Sequence, residues 1–397
     1  MVHSGMNTVS PTRAPVRPSI VLLALAMGGF AIGTAEFAAM SLLPFFSIGL
    51  GVDEPAAGHV ISIYAFGVVI GAPVIAVLGA RMPRRTLLLW LMGGYAIANS
   101  LSAIAPTYET MLLFRFISGL PHGAYFGVAA LTAASLVPPN KRAQAMARIM
   151  LGLTVSTIIG VPMATSIGLN FGWRWGFGIV GMLGALTVLL IWRFVPQDTP
   201  HPDARPLREL KALTNKQVWL TLGIGAIGFG GLFAVYTFVA STLLEVTLVP
   251  AATVPVILAV FGVGMTTGTL AGAWLSDRIG IKAAGYVLLW SACSLALYPF
   301  ATGNFWAMCA VCFLVGNGGG LGTILQSRLM DVAGDGQTMA ASLNHSAFNF
   351  ANALGPLLAG MAIAAGYGFP SSGWVGCGLA LGGLAIWAVA VRGFKRV

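Results

Sequence analysis

Glu36 is a carboxylate set well inside a long apolar run, in Gly33-Thr34-Ala35-Glu36-Phe37. An acid so placed can take up and release a proton under the control of its surroundings, because desolvation and a nearby cation act on it in opposite senses. A charge near the middle of a bilayer costs at least ~2.5–3.5 kcal/mol on insertion scales, so this side chain is expected to face a protein interior. The plainer alternative is a static partner for Arg115, which stands in Leu113-Phe114-Arg115-Phe116. Arginine keeps its charge at any biological pH and can bias a neighbouring carboxylate without titrating itself. It can equally anchor a helix end at the membrane interface. His122, two turns further along in Pro121-His122-Gly123, can titrate, hydrogen-bond a ligand or sit as a satisfied core histidine. Glu36, Arg115 and His122 are therefore read together as a proton-handling set.

A second polar group lies in Asn344-His345-Ser346-Ala347-Phe348-Asn349-Phe350-Ala351-Asn352. Steps of four and three put His345, Asn349 and Asn352 on one helical face. Such a stripe is costly against lipid and acceptable against water, a bound molecule or a polar partner helix. It is expected to line a cavity, with Tyr64 and Tyr236 as aromatic walls or ordinary packing. Cys309 and Cys312 have the spacing of a redox or zinc half-site, but no partner cysteines accompany them, and they read as small apolar packing residues. There is no glycine loop followed by lysine and no clustered metal-ligand set, so no catalytic residue, metal or cofactor is assigned and no enzyme is expected.

The elements that must hold these residues are apolar spans. Only 8% of the 397 residues are charged and 57% are hydrophobic, which leaves too little polar surface for a soluble domain of this size. A helical span takes about 20 apolar residues. Twelve are read, at 19–43, 58–80, 86–105, 109–136, 143–169, 174–195, 218–243, 253–276, 283–302, 304–327, 338–366 and 373–392. This gives a cytoplasmic tail at 1–18, a six-helix bundle at 19–195, a proline-rich linker at 196–217, a second bundle at 218–392 and a tail at 393–397. Arg208 to Lys211 within the linker reads as a short interfacial helix. The first apolar run is too long for a cleavable secretory signal.

The net charge of +10 is not spread evenly. Arg81, Arg84 and Arg85, then Lys141, Arg142 and Arg148, then Arg193 and the linker, then Arg278 and Lys282, fall in alternate loops, while the intervening loops hold little beyond Arg174. This is the positive-inside pattern, which puts both termini in the cytoplasm and argues against a nucleic-acid surface.

The second half repeats the first at an offset of 197: Gly67 and Gly71 return as Gly264 and Gly268, Arg81 as Arg278, Arg85 as Lys282, and Gly119 and Gly123 as Gly316 and Gly320. Paired six-helix units suit a rocking transporter with a site between them. Gly119, Gly123 and Gly127, and likewise Gly264, Gly268 and Gly272, form stripes at spacing four that allow close helix packing. Gly160 and Pro162, and Gly355 and Pro356, are expected to bend their helices at near-corresponding places.

Together these motifs resemble the major facilitator superfamily over essentially the whole chain. The stretch Gly272 to Lys282 is similar to its cytoplasmic signature, which implies gating roles for Asp277, Arg278, Gly280 and Lys282. The equivalent loop, Ala80-Arg81-Met82-Pro83-Arg84-Arg85, supplies Arg81, Arg84 and Arg85 but lacks the acidic residue. Arg115 and Gly119 resemble the helix 4 pattern of proton-coupled members. Gly160 and Pro162 loosely resemble the helix 5 pattern of antiporters, with Val161 where a glycine usually precedes the proline. Gly33 to Phe37, Pro121 to Tyr125 and Ser346 to Asn352 look like the bacterial drug:proton antiporter branch that includes sugar efflux permeases and chloramphenicol exporters. The resemblance implies an all-α, multi-pass protein of the bacterial inner membrane, working as a monomer in the lipid bilayer. Its partners would be protons and a small-molecule substrate, such as a sugar, nucleoside or phenicol. Export by alternating access is expected; proton-driven import of a metabolite is the alternative.

Overall fold

The computed structural model describes residues 17–138, 141–199, 214–333 and 337–394. The N-terminal tail, most of the linker, including the Arg208 to Lys211 stretch, and the last three residues lie outside them.

Backbone N–H and C=O groups in hydrocarbon must be satisfied within their own segment, so the apolar runs fold as helices. The first half holds α1 (Pro18–Ser41), α2 (Leu43–Leu50), α3 (Glu54–Leu78), α4 (Arg84–Ala103), α5 (Tyr108–Ser135), α6 (Arg142–Val155), α7 (Val161–Phe171) and α8 (Trp173–Phe194). The second holds α9 (Lys216–Gly228), α10 (Gly230–Glu245), α11 (Val254–Ile279), α12 (Lys282–Ala301), α13 (Phe305–Gly316), α14 (Gly320–Val332), α15 (Gln337–Ala362) and α16 (Ser371–Phe394). Side-chain oxygens of Asp53, Thr107 and Asn304 cap the starts of α3, α5 and α13, where the chain re-enters the bilayer. Eleven spans among the described residues are long and apolar enough to cross a membrane. The twelfth is α5, whose 28 residues exceed a bilayer span; Glu109, Arg115 and His122 dilute its hydropathy.

Shifting the first-half elements by 197 residues lands on those of the second to within a few residues, α5 falling on α13 and α14 together. The contacts repeat as well. A Cβ added at Gly67 would meet the Phe116 carbonyl oxygen, and one at Gly264 the Phe313 carbonyl oxygen. Gly71 lies on Leu120 as Gly268 lies on Asn317, and Gly119 lies on the Tyr64 carbonyl as Gly316 lies on that of Phe261. The stripes are therefore backbone-to-backbone seams, α3 against α5 and α11 against α13. Gly127 is different: a Cβ there would meet nothing within 4 Å.

Two expected bends differ in form. Ser156–Gly160 is a π-helical turn that leads into α7, a bulge that re-aims the helix around Gly160 and Pro162. Gly355 and Pro356 lie inside the unbroken α15. Here Gly355 serves packing, since a Cβ would strike the Gly230 carbonyl oxygen of α10. The break comes later, in a π turn at Ile363–Tyr367 where Gly366 takes φ 91°.

The distribution of buried apolar side chains shows how the halves meet. We call the face carrying loops 79–83 and 279–281 the basic face. Towards the opposite face one continuous core joins both halves, from Phe37, Met40 and Phe46 to Phe233, Tyr236 and Phe261. Towards the basic face the first half has its own core around Val21, Leu88 and Phe126, and the second half has a small one around Val218, Leu222 and Leu329 beside the end of the shared core at Ala283 and Ala390. The halves are packed together at one face and parted at the other.

The seams give a paired prediction. Gly264→Ala places a methyl against backbone and should destabilise the protein by about 1–3 kcal/mol, as overpacking does. Gly94→Ala, where the new Cβ meets nothing within 4 Å, should gain up to about 1 kcal/mol in helix propensity. Thermal unfolding in detergent reads both, and the two shifts should have opposite signs.

Candidate substrate cavity and buried polar network

A cavity of about 650 Å³ lies between the halves. Leu131, Met146, Ala147, Ser327 and Met330 line it towards the basic face, and Glu36, Phe37, Thr157 and Phe233 lie at its deep end. Five phenylalanines and four methionines share its walls with twelve polar side chains, five of them threonines, a mixture of apolar surface and polar groups that suits a small-molecule site.

Glu36 is buried on this wall. Its Oε1 accepts a 2.8 Å hydrogen bond from Asn352 Nδ2, across the two halves. Asn352 is fully buried and reaches Glu36 from behind the wall, so it does not line the cavity as the sequence reading expected. Depth divides the stripe on α15: His345 and Asn349 line the cavity, while Asn352, about 10 Å further along the helix from His345, lies behind the wall on Glu36.

Arg115 is fully buried and makes no ion pair with Glu36 among the described residues. Its guanidinium lies 4.1 Å from the Tyr64 ring centroid, and Nη1 donates to Asn99 Oδ1 at 3.4 Å, while Nε and Nη2 have no partner. It is neither a helix-end anchor nor a contact partner of the acid. Tyr64 is the link behind the wall: its hydroxyl meets His122 Nδ1 at 3.0 Å. Tyr64 is thus a correction to the expected cavity wall, since the seam at Gly67 and Gly119 draws α3 and α5 too close for its ring to reach the open space. Tyr236 is a second correction, buried edge-on against Phe37 and Phe261. His122 does line the cavity, as does His345, which stacks on Phe126 across the halves with centroids 5.2 Å apart.

Several wall residues carried no signal of their own. Phe37, Phe126, Phe233 and Gln326 look like ordinary span residues in sequence. Asn344 donates to Gln326 Oε1 at 2.7 Å and Asn349 to the His345 carbonyl at 3.0 Å, which leaves both Oδ1 atoms buried without partners. Both oxygens are shielded from the open space, so the polar surface of the wall is that of Glu36, His122, Gln326, Ser327 and the threonines.

At the basic face the first-half loop recruits its missing acid from elsewhere. Asp198 accepts the backbone N–H of Arg84 at 2.8 Å and that of Arg85 at 3.2 Å, capping α4 from 113 residues away. The side chains of Arg84 and Arg85 donate to the carbonyls of Leu131 and Trp192, and Arg81 is exposed. In the second half Asp277, Arg278 and Lys282 are exposed. Arg278 lies over the Trp274 ring at 4.0 Å rather than on Asp277. Gly280 ends α11 at φ 57°, ψ −141°, a conformation that needs glycine.

Comparisons agree with this architecture. Residues 25–335 match the Major Facilitator Superfamily. The chain is 38% identical over 366 residues to the inner membrane transport protein YdhP of Escherichia coli K12, covering 91% of this chain and 94% of that one. It is 33% identical over 352 residues to the chloramphenicol resistance protein of Streptomyces lividans, covering 85% and 88%. In fold it is similar to a bacterial homologue of the human lysosomal transporter Spinster, solved in an inward-facing and occupied conformation, with a TM-score of 0.72 at 19% identity and coverage of 94% and 97%. With a cavity between two repeated six-span bundles and a family match across most of its length, this chain belongs to the major facilitator superfamily, as a multi-pass membrane transporter and not an enzyme.

Proposed function

We propose that the chain is a proton-coupled exporter in which Glu36 trades a proton for cargo. The observation that carries this reading is the place of Glu36, on the wall of a cavity shared by both halves and hydrogen-bonded from one half to Asn352 of the other. A bare carboxylate resists the loss of water that closing the cavity imposes. A proton removes that resistance, and so does a cargo molecule that donates hydrogen bonds. Each direction of rocking then needs one or the other aboard, and the exchange couples the two flows. His122 and His345 sit on the same wall, and Arg115 holds a fixed positive charge behind Tyr64.

The basic face is the cytoplasmic one on the positive-inside rule, so the conformation described is open inward. Glu36, Gln326, Ser327 and the threonines of the wall, set among phenylalanines and methionines, suit a small neutral or amphipathic molecule with hydroxyl or N–H donors, such as a sugar, nucleoside or phenicol. Kinship with a protein named for chloramphenicol resistance favours export over import. Closing the basic face would draw the loops of Arg81 and Arg278 together, with Asp277 and Asp198 as the available acids. One proton crossing 100 mV supplies about 2.3 kcal/mol, enough for roughly a fiftyfold gradient of neutral cargo.

Two measurements test this. In proteoliposomes with an imposed pH difference and a panel of radiolabelled sugars, nucleosides and phenicols, the native chain should move its cargo uphill against protons. Glu36→Gln should abolish the uphill component and retain downhill exchange; undiminished pH-driven transport by that variant removes Glu36 from the coupling role, and accumulation in the same direction as the protons means import. Gly127→Leu should place a side chain in the open space of the cavity, raising the half-saturating cargo concentration roughly tenfold, or about 1.4 kcal/mol, without lowering thermal stability.

A further inference from the structure

A threonine in a helix can turn its hydroxyl proton back onto a carbonyl one turn earlier. Its oxygen then has only lone pairs left to offer. All five threonines that line the cavity are committed in this way. Thr154 donates to the Met150 carbonyl at 3.4 Å and Thr157 to that of Thr154 at 2.8 Å. Thr266 donates to the Gly262 carbonyl at 2.9 Å, Thr269 to that of Met265 at 2.8 Å and Thr323 to that of Gly320 at 3.0 Å. They stand on neighbouring elements: α6 and the π-helical turn after it, α11 and α14. Two contacts make the row continuous. Gly262 lies against the Thr157 backbone across the halves, and the Thr323 hydroxyl also reaches the Thr269 carbonyl at 3.5 Å.

The rest of the wall is of another kind. Phe126 and His345 stack with their planes 4° apart between α5 and α15, and Phe229 lies edge-on to Phe348 with centroids 4.6 Å apart. Most polar atoms among these rings are already used. Asn344 and Asn349 have their carbonyl oxygens shielded, Gln326 Oε1 is taken by Asn344, His122 Nδ1 by Tyr64 and Glu36 Oε1 by Asn352. Glu36 Oε2 is left as a further acceptor. The donors left are Gln326 Nε2 and the Ser327 hydroxyl, both on the stretch of α14 that approaches the basic face. Among the described residues no lysine or arginine lines the cavity.

We propose that the threonine row determines the specificity of the cavity. It selects cargo that carries hydroxyl or N–H donors along one edge and an aromatic or alkyl face on its other side, and it rejects anions and analogues whose donors are blocked. The inference rests on the cavity being the cargo site, as in the reading above, and is independent of proton coupling and of direction. A donor that meets a threonine lone pair adds a hydrogen bond without breaking one. An ether oxygen in the same place sets lone pairs against lone pairs, and the threonine can answer it only by giving up its bond to the backbone. A carboxylate meets the same oxygens and the Glu36 side chain, with no cation to pair with it. Each hydroxyl is also satisfied while the cavity is empty, so the acceptors are in place before cargo arrives.

The test is equilibrium binding to the purified full chain in detergent, at fixed pH and with no gradient. The probes are chloramphenicol and 4-nitrophenyl β-D-glucoside, each an aryl ring beside hydroxyls, and the O-methyl ethers of both. A further probe, 4-nitrophenyl β-D-glucuronide, puts a carboxylate on the same ring and sugar. At least one parent should bind saturably, its methyl ether about tenfold more weakly, and the glucuronide not at all. Valine at Thr266, Thr269 and Thr323 together should weaken the parent by about 5–30-fold and leave its ether unchanged, since the shape is kept and the acceptors are lost. Serine at the same three positions keeps each oxygen and should keep the discrimination. Thr266→Val and Thr269→Val singly, each costing about threefold, serve if the triple variant folds poorly. Ethers that bind as tightly as their parents, a glucuronide that binds like the glucoside, native discrimination in the valine variants, or no saturable binding of either parent overturns the assignment. Failure of uphill transport in proteoliposomes with this binding pattern intact counts against coupling alone.

Discussion

The hydrogen bond from Asn352 to Glu36 is the constraint around which the cavity is organised. A carboxylate shielded from water by lipid-facing helices must find a donor or a proton, and here the donor comes from the opposite half. That places the acid where the two bundles meet, at the boundary between the shared core of the packed face and the split cores of the basic face. Any rotation of one bundle against the other must strain or replace this bond. Behind it, the Arg115 guanidinium makes one hydrogen bond and rests on the Tyr64 ring, and the Tyr64 hydroxyl fixes the ring of His122. A buried cation so sparsely bonded gives little stability; its consequence is a permanent positive field on the first-half side of the cavity.

Rigid bundles are what make such a boundary useful. In lipid the hydrophobic effect does not drive helices together, so close backbone contact through glycine must do so. The seams at Gly67 and Gly119 and at Gly264 and Gly316 lie within each half; between the halves Phe37 meets Phe233 and Tyr236, and Gly262 lies against the Thr157 backbone. Dispersion between rings can be remade at many relative positions, whereas a glycine seam admits one. Motion between the bundles must then release the Gly262 contact as well as slide the rings.

Much of this was legible in the sequence, and the misses have physical causes. The repeat at offset 197 carried the bundle organisation and even the individual glycine contacts, because close approach demands one residue type. Glu36 stood out because charge in an apolar run is costly. For Asn352 helical periodicity gives a face, not the neighbour that covers it, and for Tyr64 and Tyr236 residue type alone gives no face; in each case a second helix takes the place of the open space. Gly355 and Pro356 lie within the continuous α15, where Gly355 makes a tight contact with the Gly230 carbonyl. Asp198 was invisible because a cap that arrives from 113 residues away leaves no local pattern.

The two faces close by different physics, and the difference bears on how the molecule can alternate. At the basic face the partners are guanidinium groups, carbonyls and carboxylates that water solvates well when the face is open, with Arg278 over Trp274 and Asp198 on the start of α4. At the opposite face they are rings and aliphatic side chains, the Ser62 hydroxyl on the Ala353 carbonyl, and the Asn352 to Glu36 bond. Opening the polar face exchanges protein contacts for water at small net change, as surface ion pairs do. Opening the apolar face exposes hydrocarbon, and that penalty must be offset by charge. A carboxylate at the interface supplies such an offset, since its hydration improves as the face opens. Ionisation and opening are then linked on the apolar face, and the two states come close enough in free energy for a single proton or a single cargo molecule to choose between them.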